Sequence, residues 1–327
     1  MPETDLLGAP YTFETLQLRP DAEGEVVATL VHRPAESPTD PEPGESSGPR
    51  KAVLHVHGFC DYFFQTLAAD FWVRRGYDFY ALDLRKYGRS LRPHQTPNYV
   101  ADLRTYYEEL DFALERVTEQ HDHVVFSAHS TGGLTVPLWL HDRGHPAAGV
   151  FLNAPWLDMH GDAFARLLAM PAIGRLGLLR PMREVPRTVS GGYARSLHRD
   201  HFGEWDFDLA WKPEASWPVY AGWFRAVRRG QSRVARGLEI DAPVLLVSST
   251  RSGHPSPDSN PDLMSTDVVL DVERMRRRAA RLSRHITIAQ VPGALHDVTL
   301  SREPARTQVF DELDRWLSAY VDPGGYR

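Results

Sequence analysis

The stretch Val124-Val125-Phe126-Ser127-Ala128-His129-Ser130-Thr131-Gly132-Gly133-Leu134 decides the fold. Its first residues are β-branched or aromatic and predict a strand, and the apolar run after its glycines predicts a helix. Small residues at Ala128 and Gly132 allow the strand and the helix to cross closely. The helix N-terminus, with its unpaired N–H groups, then faces the space in front of Ser130. The stretch therefore predicts a junction that presents the Ser130 hydroxyl, and an ordinary strand–turn–helix junction without chemistry is the alternative.

The chain contains eight short apolar runs rich in β-branched residues, this one included, and they predict eight strands. They lie at residues 12–18, 26–32, 52–57, 77–84, 123–129, 149–155, 243–249 and 285–291. Segments between the later runs have helical spacing, most clearly residues 103–117. Strands that alternate with helices predict a mostly parallel sheet with helices on both faces, and the first two runs predict an antiparallel hairpin at its edge.

Residues 156–238 interrupt this alternation and are rich in arginine and tryptophan. We expect them to form a mainly helical insertion that caps the strand ends, between core segments 1–155 and 239–327. Its tryptophans either line a substrate site or form the insertion's own core, and packing is the favoured interpretation. For the apolar segment 167–179 two interpretations stay open, namely that it is a flap that faces the substrate or that it lies buried in the cap. Residues 34–49 are rich in proline, glutamate and serine, and we expect a flexible surface loop there.

Composition excludes several function classes. The chain has 327 residues, 42% of them hydrophobic, and its net charge of −6 argues against a nucleic-acid partner and against a basic membrane-binding surface. No apolar run approaches the roughly 20 residues of a transmembrane segment. The single cysteine, Cys60, rules out an internal disulfide, and the acidic first residues do not resemble a secretory signal. We therefore expect a cytoplasmic protein.

A serine hydroxyl becomes a good nucleophile only beside a base and an acid that orients the base. His296 lies in a loop after the last predicted strand and is the candidate base. Four candidate acids precede it, namely Asp258, Asp262, Asp267 and Asp271. We choose Asp267 because it borders the apolar residues 268–270 and so lies at a structured loop end. Asp271 is better explained as the N-cap of the helix that follows it.

The stretch His57-Gly58-Phe59 ends the third predicted core strand. A glycine there permits a sharp turn that presents the Phe59 N–H to a substrate carbonyl oxygen. The Thr131 N–H, directly after the serine, is the second donor of such an oxyanion hole. A simple glycine turn is the alternative interpretation.

Together these motifs resemble the α/β-hydrolase superfamily, in particular its serine aminopeptidase and monoacylglycerol lipase-like group, often described as lysophospholipase-like. The segments that carry the resemblance are 57–59, 83–90, 128–132, 266–269 and 293–297. The resemblance implies an α/β-hydrolase fold and a catalytic triad of Ser130, Asp267 and His296. It also implies that Phe59 and Thr131 supply the oxyanion hole. Ala128 and Lys86 stand where the family pattern has glycine, and neither change removes a reactive group.

The predicted activity is that of a serine hydrolase that cleaves a carboxylic ester through an acyl-enzyme on Ser130, without a cofactor or a metal. Thioester, lactone and peptide hydrolysis use the same triad and stay open, as does a non-catalytic binding protein on this fold. The expected partner is a small-molecule ester with an apolar acyl group, and a homodimer is left open. The histidines at 121–123 and 198–201 lack a third metal ligand at a useful spacing. His129 and Cys60 are interpreted as buried, structural residues.

Overall fold

The computed structural model describes residues 3–36, 50–159, 174–186 and 191–322. Nine strands form one sheet in the order β1-β2-β3-β5-β4-β6-β7-β8-β9. The strands are β1 (Glu3–Thr4), β2 (Thr12–Asp21), β3 (Gly24–Arg33), β4 (Lys51–Val56), β5 (Tyr77–Asp83), β6 (His123–His129), β7 (Gly149–Asn153), β8 (Val244–Ser249) and β9 (Ile286–Val291). All eight predicted strands are present. The ninth, β1, was missed because two residues are too short to show an alternating pattern.

The sheet is antiparallel at one edge and parallel elsewhere. Strands β1, β2, β3 and β5 pair in antiparallel fashion, which confirms the predicted hairpin of the first two runs. The remaining neighbours, from β5 through β4 to β9, are all parallel. Because parallel strands end at one edge of the sheet, the residues that follow β4, β6, β8 and β9 can meet there.

Helices cover both faces of the sheet, as predicted. They are α1 (Thr66–Arg74), α2 (Tyr107–Thr118), α3 (Gly132–Arg143), α4 (Gly192–Leu197), α5 (Ala221–Arg236), α6 (Val272–Ala279) and α7 (Ala305–Trp316). One core packs apolar residues of α2, α3, α5 and α6 against the sheet, with Phe126 and Trp139 among its largest side chains. The other core packs α1 and α7 on the opposite face and includes Trp72 and Trp316. The chain is therefore an α/β protein with a three-layer arrangement.

Helices α4 and α5 lie between β7 and β8, inside the segment 156–238 that the sequence marks as an insertion. Residues 174–179 are also helical, whereas residues 167–173 of the predicted apolar segment lie outside the described residues. The same holds for most of the predicted loop 34–49. None of the helices in the described ranges is long and apolar enough to cross a membrane.

Candidate active site

Ser130 lies in the turn between β6 and α3. Its backbone φ of 51° is in the left-handed region, which a serine seldom adopts unless its surroundings hold it there. The Ser130 N–H donates to the Asn153 carbonyl at 3.0 Å, and the Trp156 N–H donates to the Ser130 carbonyl at 2.9 Å. The chain that follows β7 thus fixes the turn and keeps the Ser130 side chain at the carboxyl edge of the sheet.

The first residue of α3 lies so close to the backbone at the end of β4 that only glycine fits there. A Cβ atom at Gly132 would lie 2.4 Å from the His57 carbonyl oxygen and 2.5 Å from that of Val56. The predicted close crossing is therefore present, but the nearest atoms belong to the end of β4 rather than to β6. Gly133, which the sequence analysis did not single out, would place a Cβ atom 2.6 Å from Pro155.

The structure brings the three predicted triad residues together. His296 Nε2 lies 3.0 Å from Ser130 Oγ, and His296 Nδ1 lies 2.9 Å from Asp267 Oδ2. A neutral imidazole in this position donates its Nδ1–H to the carboxylate and accepts the serine proton at Nε2. Ser130 is 8% exposed, His296 3% and Asp267 0%. The arrangement can move a proton from the hydroxyl to the imidazole without passing through bulk water.

The other candidate acids lie elsewhere. Asp262 accepts a hydrogen bond from Arg251 at 2.7 Å, and Asp258 is exposed. Asp271 is the N-cap of α6 and accepts from the Arg274 N–H at 3.1 Å, which confirms the capping prediction. Of the four carboxylates, Asp267 is thus the one in hydrogen-bond contact with His296.

The His57-Gly58 turn lies directly against Ser130. A Cβ atom at Gly58 would be 2.9 Å from Ser130 Cβ, so the glycine permits this approach. His57 fixes the turn, because its Nδ1–H donates to the Gly58 carbonyl at 2.7 Å and its Nε2 accepts the Leu84 N–H at 3.0 Å. Phe59 lines the cavity beside Ser130. Thr131 precedes the first turn of α3, where helix N–H groups lack intrahelical partners.

Asn153 and Asp297 connect the serine turn to the histidine loop, and no role was predicted for either from the sequence. The Asn153 side chain donates to Asp297 Oδ1 at 2.6 Å and accepts the Val298 N–H at 2.9 Å. Burial would raise the pKa of Asp297, but the nearby His129 and hydrogen bonds from Thr299 and Asn153 lower it to about 2. Asp297 is therefore a buried carboxylate. It lies next to the candidate base, in the segment 293–297 that carries the family resemblance.

Tyr193, from α4, is a further residue that the sequence analysis did not find. Its hydroxyl oxygen accepts the Asp297 N–H at 3.1 Å, and its ring meets the His296 imidazole edge-on at 5.6 Å between centroids. Burial raises the pKa of Tyr193 well above its usual value, so the phenol stays protonated. A residue of the 156–238 segment thus packs directly against the candidate base.

A cavity of about 330 Å³ opens beside Ser130. Its lining combines apolar side chains, Trp156, Val219 and Trp223 among them, with the charged residues Asp61 and Lys212. Trp223 lines this cavity and also packs against Trp156 of the same segment at 5.9 Å between ring centroids, so for this tryptophan the two interpretations are not exclusive. The cavity suits a largely apolar molecule with a polar group.

Among the described residues, one group has the composition and spacing of a metal site. Ligand atoms of Asp61, His129 and Asp297 all lie within 4.8 Å of one another. However, the Lys212 ammonium already lies 2.8 Å from Asp61 Oδ1, and Asp297 already accepts from Asn153. Since a cation of the protein balances this charge, we assign no ion to the group. His129 is buried, and its Nδ1–H donates to the Asn153 carbonyl at 3.1 Å.

Comparison with solved structures shows the same fold in known lipases and esterases. A soluble variant of monoglyceride lipase from Saccharomyces cerevisiae superimposes with a TM-score of 0.66 at 15% identity, over 94% of this chain and 95% of that one. The monoacylglycerol lipase of Paleococcus ferrophilus gives 0.63 at 19% identity, over 89% and 99%. A thermophilic esterase from Thermogutta terrifontis gives 0.57 at 15% identity, over 94% and 99%. At these identities the likeness shows the fold alone.

No curated protein matches the chain by sequence. A family model described as serine aminopeptidase, S33, matches residues 47–303, which is well over half of the chain. The matched region contains the serine turn, the histidine loop and the segment between them. The chain therefore belongs to the serine aminopeptidase S33 family of α/β-hydrolases.

Proposed function

We propose that the chain is a serine hydrolase that cleaves a carboxylic ester through an acyl-enzyme on Ser130. The observation that carries the proposal is the buried relay in which His296 contacts Ser130 Oγ at 3.0 Å and Asp267 at 2.9 Å. This is the arrangement that activates a serine hydroxyl at neutral pH. Family membership supports hydrolysis as the reaction class.

In the first half of the reaction, Ser130 Oγ attacks the ester carbonyl while His296 Nε2 takes its proton. Asp267 stabilises the imidazolium that forms. The Phe59 and Thr131 N–H groups bind the oxyanion of the tetrahedral intermediate. His296 then gives the proton to the leaving alcohol as the carbon–oxygen bond breaks. Water attacks the acyl-enzyme in the second half, with His296 again as the base, and releases the carboxylic acid and free Ser130.

We propose further that residues 156–238 form a cap and that the apolar part of the cavity takes the acyl group. Two observations support this. Trp223 and Val219 from the segment line the cavity beside Ser130. Two solved structures of similar fold are monoglyceride or monoacylglycerol lipases, and a third is an esterase. Thioesters, lactones and peptides present the same carbonyl to the same triad and are the alternative substrates.

Covalent labelling tests the proposal. The wild-type protein is treated with a fluorophosphonate probe and assayed on nitrophenyl esters of increasing chain length, beside Ser130→Ala. We expect labelling that disappears in the variant, and a fall in kcat of at least about 1,000-fold. Ser232→Ala is the control, since Ser232 is an exposed residue of α5 whose hydroxyl bonds only its own helix in the contacts we describe. A wild-type protein that is neither labelled nor active would overturn the proposal and favour a non-catalytic binding role.

A further inference from the structure

The loop that carries Phe59 is held along its length by the segment 156–238. We call residues 59–64 the oxyanion loop. The aromatic and hydrogen-bond contacts are Phe59 with Trp223 at 4.4 Å between ring centroids, Tyr62 with Trp211 at 5.1 Å, Phe64 with Phe207 at 4.9 Å, and the Asp208 N–H to Tyr62 Oη at 2.6 Å. The loop therefore packs against residues far away in the sequence rather than only against its own strand.

A fifth contact between the oxyanion loop and the segment 156–238 is between charges. Lys212 Nζ donates to Asp61 Oδ1 at 2.8 Å, and the two residues are 6% and 2% exposed. Burial opposes the charged form of Asp61, yet the Lys212 ammonium holds the pKa of this carboxyl below its usual value. Buried charges are stable only when they are paired, so the buried position of the Asp61 carboxylate depends on its contact with Lys212.

A single residue, Cys60, separates Asp61 from Phe59. Cys60 joins them with a φ of 52°, a left-handed conformation that a non-glycine residue keeps only when its neighbours hold it. On the other side, Gly58 lies against Ser130. The Phe59 N–H is thus fixed between the serine turn at one end and the Asp61 side chain at the other.

We propose that Lys212 is a positioning residue for the oxyanion hole. By pairing with Asp61 it fixes the backbone of residues 59–61, so that the Phe59 N–H points at the oxyanion as it forms. The inference rests on the proposed function, because it takes the Phe59 N–H as an oxyanion donor. Lys212 also lines the substrate cavity, so the same side chain links the 156–238 segment, the cavity and the oxyanion loop.

The test compares Lys212→Met with the wild type in kcat, in KM and in affinity for an alkyl trifluoromethyl ketone. That ketone forms a hemiketal oxyanion on an activated serine and so reports the oxyanion hole. Loss of one donor costs about 100- to 1,000-fold in kcat, and a displaced donor should cost less. We expect kcat to fall about 10- to 100-fold with KM within about threefold, and ketone affinity to fall by the same factor as kcat/KM.

Asp61→Asn keeps the side-chain shape and decides the matter if Lys212→Met does not fold. It should lower kcat and ketone affinity together. Where Lys212→Met folds, the double variant should lose no more than Lys212→Met alone, because both changes remove the same contact. Arg306→Met is the matched control. Arg306 bonds Glu204 of the 156–238 segment at 3.0 Å, Glu303 at 3.0 Å and the Ser301 carbonyl at 3.2 Å. None of these contacts involves residues 59–64, so the loss of Arg306 should leave kcat and ketone affinity unchanged.

Two results would overturn the inference while leaving the proposed function intact. One is that the wild type hydrolyses esters while the Lys212 and Asp61 variants fold and keep a kcat within about twofold of the wild-type value. The other is a loss that appears in KM alone, with the ketone bound as tightly as by the wild type. A wild-type protein that does not hydrolyse esters at all would instead overturn the proposed function.

Discussion

At the scale of single residues, Asp267 uses its two carboxylate oxygens for different purposes. Oδ2 faces His296, whereas Oδ1 accepts the N–H groups of Val269 and Leu270, both at 2.8 Å. The backbone bonds fix the plane of the carboxylate, so Oδ2 has one direction in which to point. An acid held in this way can orient the imidazole as well as balance its charge.

Replacing Asp267 by Asn should therefore impair catalysis more than folding. The amide can present its NH₂ group to Nδ1 and favour the wrong tautomer of His296, and a change of this kind costs about 10⁴-fold in kcat. We expect a loss of that order in steady-state assays, with KM little changed. Asp262→Asn is the control, because Asp262 pairs with Arg251 and not with His296. Near-normal activity of Asp267→Asn would show that another acid serves the histidine.

At the scale of elements, β2 to β9 were predictable because each contains apolar or β-branched residues in a strand-like pattern over at least five residues. Ser130 and His296 were candidates for a similar reason, since Ser130 directly follows β6 and His296 lies in the loop after β9. Asp267 was chosen among four acids because it borders the apolar residues 268–270. The contacts of the 156–238 segment with the rest of the chain were not predictable. Lys212 meets a residue 151 positions away, and Tyr193 one 104 positions away, so no local pattern marks either pair.

Helix α3 offers a test of how tightly its first residue is packed. Gly132→Ala adds a Cβ atom about 2.4 Å from a backbone oxygen of the chain after β4, and backbone cannot yield as a flexible side chain can. Overpacking of this kind costs about 1–3 kcal/mol, and we expect that loss in urea unfolding together with reduced activity. Gly174→Ala is the matched control, since its added Cβ has no atom of the described part of the chain within 4 Å. Equal stabilities of the two variants would contradict the close approach.

At the scale of the whole molecule, Asp322 ties the chain that follows α7 to the first residues of three central strands of the sheet. Tyr77 Oη donates to its Oδ2 at 2.8 Å and Lys51 Nζ donates to the same oxygen at 3.2 Å, while His123 Nε2 lies 3.2 Å from Oδ1. These partners are the first residues of β5, β4 and β6. Since Ser130 follows the other end of β6, this contact lies at the edge of the sheet opposite the candidate active site.

Asp322 should therefore stabilise the fold in a pH-dependent way without affecting turnover. Burial would raise its pKa, but His123, Tyr77 and Lys51 lower it to about 2 from an ordinary value of 3.8. A lowered carboxyl pKa adds stability above the ordinary value that is lost as the pH falls from about 4 to 2. At pH 7, urea unfolding should thus show Asp322→Asn to be less stable than the wild type by about 2 kcal/mol. This gap in stability should close as the pH falls from about 4 to 2. Asp311→Asn, an exposed change in α7, should show no gap, and a gap independent of pH would contradict the ionic origin.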